Sequence, residues 1–203
     1  MISVSFFKEK ENIEEVINKI DNTTCDFIHV DIADNIFVPN KSLDDNLLCN
    51  ILSKTNKPKD VHLMVKDVRK YVDIYKNINP NNITFHVETN DILNMINYIK
   101  TLGIKVGLAL DLDSDVELLN PYLDKIDLVL LMSVKAGFGG QRFNDKVLDK
   151  INYLRTKTNI KIEVDGGIDD TNYSKINSDI KVVGSFITNN SNYEKQINLL
   201  RTK

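Results

Sequence analysis

The sequence predicts an α/β fold, a single-domain (β/α)8 TIM barrel over residues 1–203, on three observations. Short apolar runs rich in β-branched residues recur at intervals too long for hairpins. The segments between them carry helical periodicity. Eight such runs fit into roughly 200 residues, the lower size limit of a barrel of eight parallel strands. An open doubly wound sheet is the competing topology, but no GxGxxG follows the first run, where a dinucleotide-binding sheet would carry one.

In chain order the expected strands are Ile2–Phe7, Asp26–Asp31, Asp60–Met64, Ile83–Val87, Lys105–Leu110, Leu128–Ser133, Lys161–Asp165 and Lys181–Ser185. Between the first two, Ile13, Val16, Ile17 and Ile20 form the i, i+3, i+4, i+7 stripe of an amphipathic helix, and Ile92, Met95, Ile96 and Ile99 repeat it after the fourth. Gly103 then reads as a helix stop. Val147, Leu148, Ile151 and Leu154 predict a helix after the sixth strand, and Tyr193, Ile197 and Leu200 a closing one. No linker or low-complexity tract divides the chain.

The composition, 42% hydrophobic and 27% charged, suits a soluble globular protein with a full core. Apolar stretches such as Leu128–Met132 fall far short of the roughly 18 residues of a membrane span. Lys8–Glu9–Lys10 interrupts the N-terminus before a signal-peptide core can form, so neither membrane insertion nor secretion is expected. The net charge of −3, with both signs interspersed, leaves no basic stripe for a nucleic-acid backbone. Cys25 and Cys49 form no CxxC pair, which fits a reducing cytoplasm. The expected partner is a small molecule, and self-association as a homo-oligomer is compatible with all of this.

The three histidines, His29, His62 and His86, all fall in expected strands. Side chains alternate along a strand, so His29 and Asp31 share a face that in a barrel can point inward. His62 comes from the adjacent strand, and Asp165 ends the seventh, across the barrel. Each residue alone reads as readily as a hydrogen-bonded core histidine or a helix N-cap. Together they form a mixed nitrogen and oxygen set suited to one divalent cation, zinc, iron(II), manganese or cobalt rather than calcium or magnesium. His86, in Phe85–His86–Val87–Glu88, has no carboxylate pairing to single it out and reads as a core or supporting histidine.

Glycine supplies a second constellation. Gly137, Gly139 and Gly140 follow the sixth strand with Phe138 among them, Gly166 and Gly167 follow the seventh, and Gly184 precedes Ser185 at the eighth. Turn geometry would explain one such cluster. Three at neighbouring loops point to backbone amides offered to an anion, and in barrels the loops after strands seven and eight recurrently hold phosphate. Ser5 either adds a hydroxyl there or is a small barrel residue. Arg142 reads as a solvent-exposed loop cation within reach of such an anion.

Set side by side, these segments resemble the ribulose-phosphate 3-epimerase family over nearly the whole chain. His29–Val30–Asp31 with Phe37–Val38–Pro39–Asn40 is similar to the family's HVDxMDGxFVPN, and Asp60–Met64 to its DVHLM. Met132–Ser133–Val134 through Gly137–Gln141 is similar to MSVxPGFGGQ, and Glu163–Ile168 reproduces EVDGGI. The resemblance implies that His29, Asp31, His62 and Asp165 bind the divalent metal and that Asp31 and Asp165 are the acid/base pair. It also implies that Ser5, His62, Gly137, Phe138, Gly139, Gly140, Gly166, Gly167, Gly184 and Ser185 contact a sugar phosphate.

The implied reaction interconverts D-ribulose 5-phosphate and D-xylulose 5-phosphate. The cation would act as a Lewis acid on an enediolate, with one carboxylate on each face to take and return the C3 proton. A six-carbon 3-epimerase for allulose 6-phosphate and a non-catalytic sugar-phosphate-binding barrel are the alternatives. The chain departs from the pattern at Val4, Ala33, Asn35–Ile36, Asp111–Leu112 and Lys135–Ala136, and no departure removes a ligand or a carboxylate. Ala33 stands where methionine is usual, on the face of Asp31, and is expected to leave room at the reaction centre and weaken the preference for the five-carbon sugar.

Overall fold

A computed structural model describes residues 1–203. Eight parallel strands close into a barrel in chain order, β1 pairing with β8. They are β1 (Ile2–Ser5), β2 (Phe27–Ala33), β3 (Lys59–Met64), β4 (Pro80–His86), β5 (Lys105–Leu110), β6 (Leu128–Met132), β7 (Lys161–Asp165) and β8 (Ile180–Val183). Closure leaves no edge strand and sends alternate side chains to two different surroundings. Outward residues such as Val4, Ile28, Val30, Val61, Leu63, Phe85, Leu108 and Val164 join one large buried cluster beneath the helices. The inward set is mixed, with Ala109, Leu130 and Met132 in a smaller apolar cluster and His29, Asp60, His62, Thr84 and Glu163 buried beside it. Gly107 shows how full this interior is: a Cβ there would lie 2.4 Å from Thr84 Oγ1.

The helices are α1 (Ile13–Asp21), α2 (Asp45–Leu52), α3 (Val68–Tyr75), α4 (Ile92–Thr101), α5 (Lys146–Lys157), α6 (Ser185–Thr188) and α7 (Tyr193–Arg201). The expected stripes of α1, α4, α5 and α7 are the buried faces, except that Leu148 of α5 is only partly buried. The stop after α4 falls at Gly103, at φ +74°. Three helices lie outside those stripes: α2, α3 and the single-turn α6. In α3 the signal was present, Val68, Tyr71, Val72 and Tyr75 being its buried stripe, with the Asp67 carboxylate accepting from the Lys70 amide at 3.1 Å as a cap. In α2 the core contact is only Leu48, Ile51 and Leu52.

The structure corrects several expected bounds and connections: β2 runs on to Ala33 rather than ending at Asp31, β4 spans Pro80–His86 rather than Ile83–Val87, and β6 ends at Met132 rather than Ser133. β1 stops at Ser5 rather than Phe7, because the Glu9 amide bonds back to the Phe6 carbonyl and turns the chain. β8 stops at Val183, and Ser185 instead opens α6, whose first bonds return to the Gly184 carbonyl. After β5 and β7 the connections hold no α-helix. A 3-10 segment containing Pro121, Val116–Tyr122, covers β5, and a single 3-10 turn, Tyr173–Lys175, follows β7.

Candidate active site

At the C-terminal ends of the strands, one ligand atom from each of His29, Asp31, His62 and Asp165 lies within 4.8 Å of the others. The register produces this: Asp31 is directly opposite His62 across β2 and β3, and Met132 opposite Asp165 across β6 and β7. His29 Nε2 lies 3.2 Å and His62 Nδ1 2.9 Å from the same oxygen, Asp31 Oδ1, while Ser5 Oγ donates to Asp31 Oδ2 at 2.8 Å.

The remaining ring nitrogens decide the tautomers. His29 Nδ1 sits 2.6 Å from Asp60 Oδ2, and a carboxylate only accepts, so that nitrogen carries the proton. Asp60 is itself held by Ser3 Oγ at 2.8 Å and Asn82 Nδ2 at 2.6 Å. In the neutral ring, His29 Nε2 is thereby left with its lone pair aimed at Asp31. Lone pairs of two imidazoles and a carboxylate converging on one point repel unless a proton or a cation lies between them. The donor set therefore fits a divalent cation, and a buried two-nitrogen, two-oxygen set fits zinc, iron, manganese or cobalt.

Buried charge is distributed unevenly. With a proton rather than a cation between the rings and Asp31, burial would raise its carboxyl, but the His29 charge and the hydrogen bonds from His29 and His62 outweigh it and hold Asp31 well below the ordinary range. Asp165 has no such donors, and burial followed by the Asp31 charge pushes it up to about 7. His62 is lowered to about 4, mainly by burial. Burial opposes a charge on His29 as well, but Asp31 and Asp60 reverse the balance and raise it. Glu163 is fully buried, and as a carboxylate neither of its oxygens has a partner. Burial and the Asp60 charge raise it well above the ordinary value.

Above the cluster opens a cavity of about 530 Å³ lined by Ser5, Asp31, Asp165, Met64 and Met132, with the loops after β6, β7 and β8 around its rim. Every expected glycine, Phe138 and Ser185 lines it. Gly167, at φ +60°, is also required by packing, since a Cβ would lie 2.2 Å from the Phe143 amide nitrogen of the neighbouring loop. Lys8, Arg142 and Lys175 stand at the rim, Lys175 already paired with Asp145. His29 and His62 are fully buried and do not line the cavity.

Two expectations change. Ala33 does not border the cavity: it is buried in a cluster with Val38 and Met64, so its small side chain is filled around rather than left as space. His86 does have a carboxylate, Glu88 Oε2 at 3.1 Å from Nδ1, while its Nε2 lies 3.0 Å from His62 Nε2. Two positions along an extended chain, His86 and Glu88 were a legible pair. Asp60, Glu163 and Lys8 were also missed. Asp60 and Glu163 sit two residues before His62 and Asp165, so strand alternation alone could have put them on the inner face.

Comparison with known proteins follows the same line. The profile of the Ribulose-phosphate 3 epimerase family matches residues 1–188. The chain is 40% identical to a ribulose-phosphate 3-epimerase of Buchnera aphidicola subsp. Baizongia pistaciae, covering 99% of this chain and 92% of that one. It is 36% identical to that of Helicobacter pylori J99, over 92% and 88%. Among solved structures, 3-hexulose-6-phosphate synthase from Salmonella typhimurium superposes with a TM-score of 0.75 at 17% identity, over 99% and 96% of the two chains, a likeness of fold alone.

Proposed function

The chain belongs to the ribulose-phosphate 3-epimerase family, and from that premise we propose that it interconverts D-ribulose 5-phosphate and D-xylulose 5-phosphate by moving the C3 proton between Asp31 and Asp165. The observation that carries this reading is geometric: Asp31 at the end of β2 and Asp165 at the end of β7 border one cavity from different sides of the barrel, beside His29 and His62. One carboxyl can act as the base and the other as the acid, with the roles exchanged in the reverse direction.

His29, Asp31, His62 and Asp165 would hold one divalent cation, which when bound supplies Lewis-acid stabilisation of negative charge on the substrate's oxygens. Asp31 takes the C3 proton of one epimer. The electron pair left behind delocalises into the C2 carbonyl as an enediolate, and Asp165 delivers its proton to C3 from the opposite side. Asp31 ends protonated and Asp165 ionised, the state from which the other epimer reacts in reverse. Ser5, donating to Asp31 Oδ2, keeps that carboxylate oriented. The phosphate is assigned to the loops carrying Gly137, Gly139, Gly140, Gly166, Gly167 and Gly184, with Lys8 and Arg142 adding charge at the rim.

The test is an assay on ribulose 5-phosphate before and after chelation, with zinc, iron(II), manganese and cobalt each added back. Formation of xylulose 5-phosphate, lost on chelation and restored by at least one ion, is expected. No epimerisation with any of the four would sink the proposal.

A further inference from the structure

The two histidines of the candidate metal centre are supported differently. His29 is held in one step, through Asp60. His62 points its Nδ1 toward Asp31 and its Nε2 toward His86 Nε2, 3.0 Å away. For Nδ1 to offer a lone pair, the proton of His62 must sit on Nε2 and be donated to His86. His86 Nε2 must then be the acceptor, so its own proton is on Nδ1, 3.1 Å from Glu88 Oε2. Both imidazoles are fully buried, and the Phe37 ring lies 4.9 Å from that of His86, so water does not supply the alternative. At the outer end, Glu88 Oε1 accepts from the Asp111 amide at 2.9 Å. The Asp111 segment is pinned by Lys150 Nζ, which donates to the carbonyls of Asp111, Leu112 and Ser114 at 2.6–2.9 Å.

We infer that His86 and Glu88 are positioning residues that fix His62 in its Nε2–H tautomer, a relay running from the metal ligand to the loop after β5. The inference rests on the metal-site reading above. It differs from a packing role because it depends on an acceptor at one atom and a carboxylate at another. Partners of this kind commonly change metal affinity 10–100-fold.

The experiment uses the full chain and cobalt(II), read by its visible d–d absorption and by competition with a chromophoric chelator, while thermal unfolding of chelator-treated protein reports the fold. His86→Phe removes the acceptor and is expected to weaken cobalt binding about 10–100-fold and alter the band. His86→Gln, with a carbonyl oxygen near the lost Nε2, is expected to recover most of the affinity and the band. Glu88→Leu should weaken binding and Glu88→Gln less so; these two carry the test if His86→Phe does not fold. Wild-type affinity and spectrum in His86→Phe or Glu88→Leu would overturn the relay, as would His86→Gln behaving like His86→Phe. A wild-type chain that binds no cobalt would overturn the metal-site reading itself, and the relay with it.

Discussion

The barrel interior has two halves of opposite character. On β1 to β4 the inward positions include Ser5, His29, Asp31, Asp60, His62 and His86, joined into a continuous network, and Glu163 of β7 lies beside it. On β5 and β6 they are Gly107, Ala109, Leu130 and Met132, which offer no side-chain hydrogen bond. Burying polar groups is unfavourable unless each finds a partner. The polar half therefore adds little net stability and survives because its groups, Glu163 apart, satisfy one another. The apolar half makes dispersion contacts and fills space. The two halves should answer mutation in different currencies, function on one side and stability on the other.

The largest expected effect is in the polar half. Asp31→Asn and Asp165→Asn should each lower epimerase kcat by about 10²–10⁴-fold, the usual worth of a general acid or base. Steady-state kinetics checks this, and a loss below tenfold in either would move the chemistry elsewhere. In the apolar half, Leu130→Ala should remove about 2–5 kcal/mol of unfolding free energy in urea titrations while cobalt affinity stays near that of the natural chain. A large fall in metal affinity there would mean that the halves are not separable. At the seam between them, Ala33→Met overfills a closed cluster and should destabilise by about 1–3 kcal/mol. A stable variant with altered sugar preference would restore Ala33 to the substrate pocket.

A further consequence is a pH dependence. Burial opposes ionisation of Glu88, but the hydrogen bond from His86 and, when that ring is protonated, its charge prevail and hold it at about 2, below the ordinary 4.5. A depressed carboxyl stabilises the fold fully above its unfolded value and loses that contribution as pH falls through its folded value. The stability difference between the natural chain and Glu88→Gln should therefore be constant above about pH 5 and shrink between about 4.5 and 2. A gap independent of pH would show that the Glu88 charge is not what its partners stabilise.

Much of this division was legible in the sequence. Eight parallel strands followed from eight spaced runs and the shared face of His29 and Asp31 from strand alternation, while the number of strands favoured closure, and strand placement together with the family resemblance completed the set with His62 and Asp165. What escaped was set by three-dimensional pairing. The polar partners Asp60 and Glu163 look in sequence like any charged strand residue, and only the register brings them to His29. The open space expected at Ala33 vanished because Val38, from a loop with no strand or helix signal, folds over it. The bare connections after β5 and β7 reflect segments without a repeating apolar stripe, one of them broken by Pro121.

The central claim, that two carboxyls on opposite sides of one substrate carbon exchange its proton, is tested most directly by turnover in D₂O. Xylulose 5-phosphate formed from ribulose 5-phosphate should carry solvent deuterium at C3, read by NMR or mass spectrometry. Product formed at full rate with its original C3 hydrogen retained would contradict the account.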